Sequence, residues 1–175
     1  MIEAMKDAKK ILDAYQIPFW LDGGTLLWAY RDGTPDDTDT DFSVFPDDVY
    51  RIIDIMAEFT NQKWVLEDTF YHPKLGVVEL AMFHPNGKKV DFFVKYEKGD
   101  KSFHFATDRG TSIAYVQPHH HIEKFDTLEM GGESWKIPQD TENYLKTYYG
   151  DTWREHISEW DWRCSSPCID KDFEI

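Results

Sequence analysis

The sequence predicts an α+β fold, and three observations carry that prediction. Apolar residues recur at helical spacing near the N-terminus and again after Pro46. Short apolar or alternating runs lie between and beyond them, and two of these are joined by Asn86-Gly87, a strong hairpin-turn pair. No internal repeat, low-complexity tract or linker breaks the 175 residues. One domain therefore accounts for the chain, with a core over about 1–117 and a C-terminal extension over about 118–175.

Met5, Ala8, Leu12 and Tyr15 predict an amphipathic helix over residues 2–16, ended by Pro18. Phe19-Trp20-Leu21 reads as a buried strand entering a Gly23-Gly24 turn. Thr25 to Arg31 makes a short helix closed near Gly33, residues 34–40 a polar connection, and Asp41-Phe42-Ser43-Val44-Phe45 a strand. Pro46 with Asp47 and Asp48 marks a helix start, and Val49, Ile52, Ile53, Met56 and Phe59 give that helix its apolar stripe. Strands follow at about 62–67, 76–84 and 89–96. Phe103-His104-Phe105 and Ile113-Ala114-Tyr115-Val116 predict shorter ones. Asp140 caps a final helix carrying Tyr144, Leu145 and Tyr148, stopped at Gly150.

Hydrophobic residues make up 41% of the chain, enough for a packed core. The balance of 19 basic against 33 acidic residues gives a net charge of −14, which repels a polyanion and argues against a nucleic-acid partner. No run approaches the roughly 18 apolar residues needed to cross a bilayer. The start Met1-Ile2-Glu3-Ala4-Met5-Lys6-Asp7 is charged and amphipathic rather than a secretion signal, so the expected compartment is cytoplasmic. In that compartment Cys164 and Cys168 are expected as free thiols.

The chemistry concentrates in Asp39-Thr40-Asp41, about fifteen residues after Asp22-Gly23-Gly24-Thr25. Carboxylates at i and i+2 on a strand face the same side, roughly 6.5–7 Å apart along the backbone, and can share a divalent cation or a close pair of them. A Gly-Gly-Thr entry to a helix offers backbone N–H groups and a positive helix end to a phosphate. Asp91 lies in the apolar run Lys89-Val90-Asp91-Phe92-Phe93-Val94, where a buried carboxylate needs a cation, an arginine or hydrogen-bond donors. If its strand lies beside that of Asp41, three carboxylates converge on a site for Mg²⁺ or Mn²⁺. The bland alternative is that Asp36, Asp37, Asp39 and Asp41 form only a polar turn.

Phe19-Trp20-Leu21-Asp22-Gly23-Gly24-Thr25-Leu26-Leu27-Trp28-Ala29-Tyr30-Arg31, followed by Asp37-Thr38-Asp39-Thr40-Asp41, resembles the LicD/fukutin family of the nucleotidyltransferase superfamily. Val90-Asp91-Phe92-Phe93 is similar to that family's later V-D-[IV]-F strand. Ile137-Pro138 through Tyr144-Leu145, with Tyr149-Gly150-Asp151-Thr152-Trp153, is similar to its C-terminal signature. The resemblance implies a nucleotidyltransferase-like mixed β-sheet flanked by helices, with a helical C-terminal tail. It also implies metal-dependent transfer of a phospho-substituent, of the phosphocholine or alditol phosphate type, from a CDP-activated donor to a sugar hydroxyl. On that mapping Asp39, Asp41 and Asp91 hold Mg²⁺ or Mn²⁺. Gly23, Gly24 and Thr25 cradle the donor phosphates, Arg31 pairs with a phosphate or braces the acidic loop, and Asp37 stands behind the ligands. The chain departs from the pattern at Trp28, where the family has a small glycine, and at Thr38, where it has an acid. Its length leaves no room for a large acceptor-binding insertion, so a small or soluble acceptor is expected.

Two rival readings remain open. One is a nucleotidyltransferase that moves NMP from an NTP to a small molecule or protein; the other is a catalytically inactive nucleotide-binding module. Asp22 reads as a cap of the helix that follows it. His119-His120-His121 reads first as loop or strand, with a substrate-facing base or a zinc site shared with Cys164 and Cys168 as lesser readings. Tyr148, Tyr149, Trp160 and Trp162 have the make-up of a cage for a quaternary ammonium such as choline, although such rings more often anchor a terminal helix.

Overall fold

The computed structural model describes residues 1–35, 38–108 and 111–175. Helix α1 (Ile2–Ala14) buries Ala4, Met5, Ala8, Ile11 and Leu12. It ends earlier than its apolar repeat predicts: Gln16 turns at φ 53°, which leaves Tyr15 outside the core and sends Ile17 inward. Strand β1 (Trp20–Leu21) then enters α2 (Gly23–Asp32), which is closed by Gly33 at φ 72° with its N–H on the Ala29 carbonyl. Strand β2 (Asp39–Val44) follows.

The helix predicted after Pro46 is two pieces, α3 (Pro46–Asp54) and α4 (Met56–Asn61), separated at Ile55. The second piece brings Phe59 edge-on against Trp64 in the core. Lys63, at φ 65°, turns the chain out of α4, so β3 (Val65–His72) begins later than expected. Strands β4 (Gly76–Phe83) and β5 (Lys89–Val94) form the hairpin predicted from Asn86-Gly87, with Gly87 at φ 84°.

The strand expected over 89–96 divides at Lys95, because β6 (Tyr96–Lys98) leaves for a second sheet with β7 (Lys101–Asp108) and β8 (Thr111–Pro118). A 3-10 turn over His119–Ile122 follows. A hairpin of β9 (Phe125–Met130) and β10 (Glu133–Pro138) comes next, turning through Gly131 and Gly132, and then α5 (Thr141–Tyr149). Asp140 sits at the start of α5 as predicted, but its carboxylate accepts from the Asn143 side chain rather than from the backbone. Past Gly150 the chain runs in turns and returns to β8, where Ile169 bridges to Tyr115.

The main sheet is mixed, in the order β1-β2-β5-β4-β3. Strands β2 and β5 are parallel and the other neighbours antiparallel. The C-terminal hairpin closes over the first strands: Trp135 stacks on Phe42 at 6.2 Å and Phe125 packs on Trp20 at 5.0 Å. Among the described residues, no helix is long and apolar enough to cross a membrane.

Candidate functional site

The parallel register of β2 and β5 sets Asp41 directly opposite Asp91 and Asp39 opposite Lys89. Because alternate residues share a face, all four side chains project from one side of the sheet. One carboxylate oxygen from each of Asp39, Asp41 and Asp91 lies within 4.8 Å of the others. The three acids singled out in the sequence are thus brought together, by two strands far apart in the chain.

Helix α2 starts on the same spot. Asp41 Oδ2 accepts the Gly24 N–H at 2.7 Å and the Thr25 N–H at 3.4 Å, while the Asp41 N–H donates to Thr25 Oγ1 at 2.8 Å. The backbone donors read as a phosphate cradle are therefore turned onto a carboxylate, which suits the positive end of the helix equally well. The Gly23 N–H is taken by Asp22. Gly23 is required here for two reasons. Its φ is 50°, and a Cβ at this position would stand 2.5 Å from Asp41 Oδ2.

Asp22 caps α2, as the sequence predicts; its N–H donates to the Asp41 carbonyl, while its carboxylate is taken up in a buried polar knot. Its carboxylate accepts from Gly23 N–H, the Ser43 hydroxyl and the Tyr144 hydroxyl, and lies 2.7 Å from Lys95 Nζ. Lys95 also donates to His104 Nδ1 at 2.8 Å and to the Tyr144 oxygen at 3.1 Å. Burial alone would raise the Asp22 carboxyl, but the Lys95 ammonium, with the Ser43 hydroxyl, overrides it and holds it at about 2. Burial and the Lys95 charge push the His104 ring well below its ordinary value, so it accepts as neutral imidazole.

The acids open into a cavity of about 690 Å³. Its aromatic lining includes Trp28, Tyr148, Tyr149, Trp153, Trp160 and Trp162. Tyr149 stands 4.8 Å from both Tyr148 and Trp160, so the predicted aromatic cluster borders the site as well as anchoring α5. Arg31 also lines the cavity. It lies 4.7 Å over the Trp28 ring, and donates to Asp32 and to the carbonyls of Trp153 and Glu155. It therefore ties α2 to the segment 153–156 that roofs the cavity. Trp28, the departure from the family pattern, supplies the stacking face for this tie.

Three further polar residues belong to this region, and of these Glu79 carries in the sequence the same signal as Asp91, a lone carboxylate in an apolar run. Lys89 lies 3.1 Å from Asp91 and 3.4 Å from Glu67. Glu79 lines the cavity from β4, and Lys95 sits in the knot behind it. Burial pushes the Asp91 carboxyl up to about 6, and the neighbouring Asp39 charge adds to it against the pull of Lys89. Burial, then the charge of Asp91, pushes Glu79 up to about 8. Both shifts come chiefly from burial, with a neighbouring carboxylate adding to each. A hard divalent cation with oxygen ligands fits such a donor set.

Asp37 lies outside the described residues, as do the side chains of His119 and His120. His121 is buried and contacts Thr147, Cys164 is exposed, and Cys168 is buried against Ser166. Among the described residues, His121 and the cysteines form no metal-holding group.

A mixed sheet carrying paired carboxylates on one strand and a third on its parallel neighbour, beside a Gly-Gly helix start, defines a nucleotidyltransferase-type domain. The fold is shared with the lincomycin-bound crystal structure of the lincosamide antibiotic adenylyltransferase LnuA, at a TM-score of 0.53 and 13% identity over 83% of this chain and 84% of that one. Residues 16–140 match the LicD/FKTN/FKRP nucleotidyltransferase domain, and the chain belongs to that family. It is 30% identical over 171 residues to ribitol-5-phosphate transferase FKTN of Mus musculus and 29% identical to that of Homo sapiens. These alignments cover 95% of this chain and 36% of each relative, so the chain spans about a third of the length of the curated proteins it matches.

Proposed function

We propose that this chain is a metal-dependent transferase that moves a phospho-substituent from a CDP-activated donor to a sugar hydroxyl, with Mg²⁺ or Mn²⁺ held by Asp39, Asp41 and Asp91. The observation that carries the reading is the convergence of three carboxylate oxygens within 4.8 Å at the N-terminal end of α2. The similarity to ribitol-5-phosphate transferases favours an alditol phosphate over phosphocholine as the group transferred. A bound cation would neutralise the donor's phosphate oxygens and make its phosphorus more electrophilic.

The chain's own residues do the rest. With Asp41 holding a cation, the N–H groups of Gly24 and Thr25, which it accepts from here, would be available to the donor phosphates at the positive end of α2. Arg31 holds the 153–156 segment over the cavity, and the aromatic wall excludes water and offers faces for a base or a sugar ring.

The test is product analysis with Mn²⁺ or Mg²⁺ across CDP-linked donors, NTPs and glycan or small-molecule acceptors, alongside thermal unfolding of wild type and Asp39→Asn. A donor at about 100 times its Kd raises stability by about 2.7 kcal/mol. Acceptor-dependent CMP release and a metal-dependent shift lost in Asp39→Asn support the transferase. Pyrophosphate release identifies NMP transfer instead. No metal-dependent response to any nucleotide leaves an inactive module.

A further inference from the structure

Strand β4 is buried from Gly76 to Met82, and Glu79 is its one charged residue. A carboxyl in such a strand is costly unless its oxygens are satisfied. The backbone N–H of Thr107 donates to it, yet Glu79 Oε2 is sealed from solvent and has no hydrogen-bond partner among the described residues. The register explains where it stands. Ala81 lies opposite Asp91, which lies opposite Asp41, and Glu79 is two residues from Ala81 on the same face, opposite Phe93. A diagonal neighbour of this kind is roughly 7–8 Å away, within the span of a glutamate and one small group between them. Glu79 also lines the same cavity as the three aspartates, with Phe93, Ala106 and Thr107 around it.

We propose that Glu79 touches the acceptor hydroxyl and takes its proton during transfer, which rests on the transferase reading above. In that reading the three aspartates are engaged with the cation, and Lys89 and Arg31 are themselves cations; of the cavity's other proton acceptors Glu155 and His156 are exposed at its rim, so Glu79 is the buried carboxylate left to take a proton there. The step balances. The acceptor oxygen bonds to phosphorus and its proton passes to the carboxylate of Glu79, which lines the cavity. The bond from phosphorus to the bridging oxygen breaks, its electron pair leaving with CMP. The charged groups facing Glu79 are Asp91, Lys89 and Glu67, and burial alone holds its carboxyl above the ordinary carboxylate range, which makes it a stronger base than an exposed glutamate.

The experiment compares wild type with Glu79→Gln, which keeps an acceptor for Thr107 but no base, using CDP-ribitol, Mn²⁺ and whichever acceptor gives CMP release with wild type. The expected result is a fall in kcat of about 10²- to 10⁴-fold with the Mn²⁺-dependent donor shift in melting temperature unchanged, and loss of the acid limb of the kcat/KM profile. Wild-type kcat in Glu79→Gln overturns the proposal, and so does loss of the donor shift, which would place Glu79 in the donor site. Absence of CMP release by wild type itself removes the transferase reading, and the proposal with it. Should the glutamine variant not fold, Glu79→Asp keeps the charge but draws it back, and wild-type kcat there overturns the proposal equally.

Discussion

The Lys95 ammonium lies 2.7 Å from the Asp22 carboxylate with both side chains sealed from solvent. All three N–H bonds of Lys95 are used, on Asp22, His104 and Tyr144. Since Asp22 also caps α2, and α2 holds Asp41, this pair fixes the floor on which the site stands.

Lys95→Met is expected to cost about 3–5 kcal/mol in urea unfolding, because Asp22 is left charged and buried without its partner. Adding Asp22→Asn to the same chain should recover a large part of that loss. A double variant no more stable than the single one would show that packing, not charge pairing, dominates at this position.

Asp39→Asn is expected to abolish the Mn²⁺-dependent rise in melting temperature without lowering the metal-free value. Asp39 presses its charge on Asp91, and its own hydrogen-bond donor is the neighbouring Thr38 hydroxyl, so the amide removes repulsion at little structural cost. Differential scanning fluorimetry with and without Mn²⁺ reads both effects.

Gly23→Ala should damage fold and site together. The positive φ alone costs about 1–2 kcal/mol for a residue with a Cβ, and that Cβ would displace Asp41 Oδ2. Gly33→Ala is the control: its φ is also positive, but nothing lies within 4 Å of the added atom. Both variants should lose stability, and only Gly23→Ala should also lose metal response.

The metal-free protein is expected to lose stability as pH rises from about 4.5 towards 8. Glu79 has its ordinary pKa of 4.5 when unfolded and about 8 when folded, so the folded chain binds its proton more tightly. That contribution is full below 4.5 and is lost as pH climbs through the window, with a slope of up to about 1.4 kcal/mol per pH unit. Asp91, raised to about 6, adds a decline of the same sign at the acid end, so chemical denaturation should show a fall across pH 5 to 8 that Glu79→Gln flattens between about 6 and 8.

Trp28→Ala removes the face on which Arg31 rests and a ring partner of His156 at 5.3 Å. The 153–156 segment should loosen over the cavity, raising KM for the donor about tenfold while kcat changes less. Steady-state kinetics separate the two parameters.

Much of the site was readable because its signals are local. Asp39 and Asp41 declare themselves by spacing, Asp91 by its apolar surroundings, and Gly23 by a turn only glycine makes easily. Glu79 sits in the same kind of apolar run as Asp91, and the rule that drew notice to one applies to the other. Lys95 carried no such mark, since a lysine at a strand end usually reaches solvent. Its burial follows from the crossing of β5 into β6 and from α5 packing over it, which are tertiary facts. The β9–β10 hairpin has a recognised two-residue turn in Gly131-Gly132 and alternation in Leu128-Glu129-Met130 and Trp135-Lys136-Ile137, but Asp126 and Glu133 fall on the apolar face and shorten both patterns. The break at Ile55 was likewise silent, because the apolar stripe runs through it without a proline or glycine.

Asp41 and Asp91 become neighbours only when β2 and β5 pair, although they lie about fifty residues apart in sequence. Closing so long a loop is an entropic cost met before any contact rewards it, and here the pairing also presses like charges together, which costs more. The acidic centre should consequently assemble late, after the local helices and the β4–β5 hairpin have formed. A cation that recognises the finished centre has little to hold on the unfolded chain, so it should slow unfolding rather than hasten folding. The same ions that equip the protein for chemistry would then set how long each molecule survives once made.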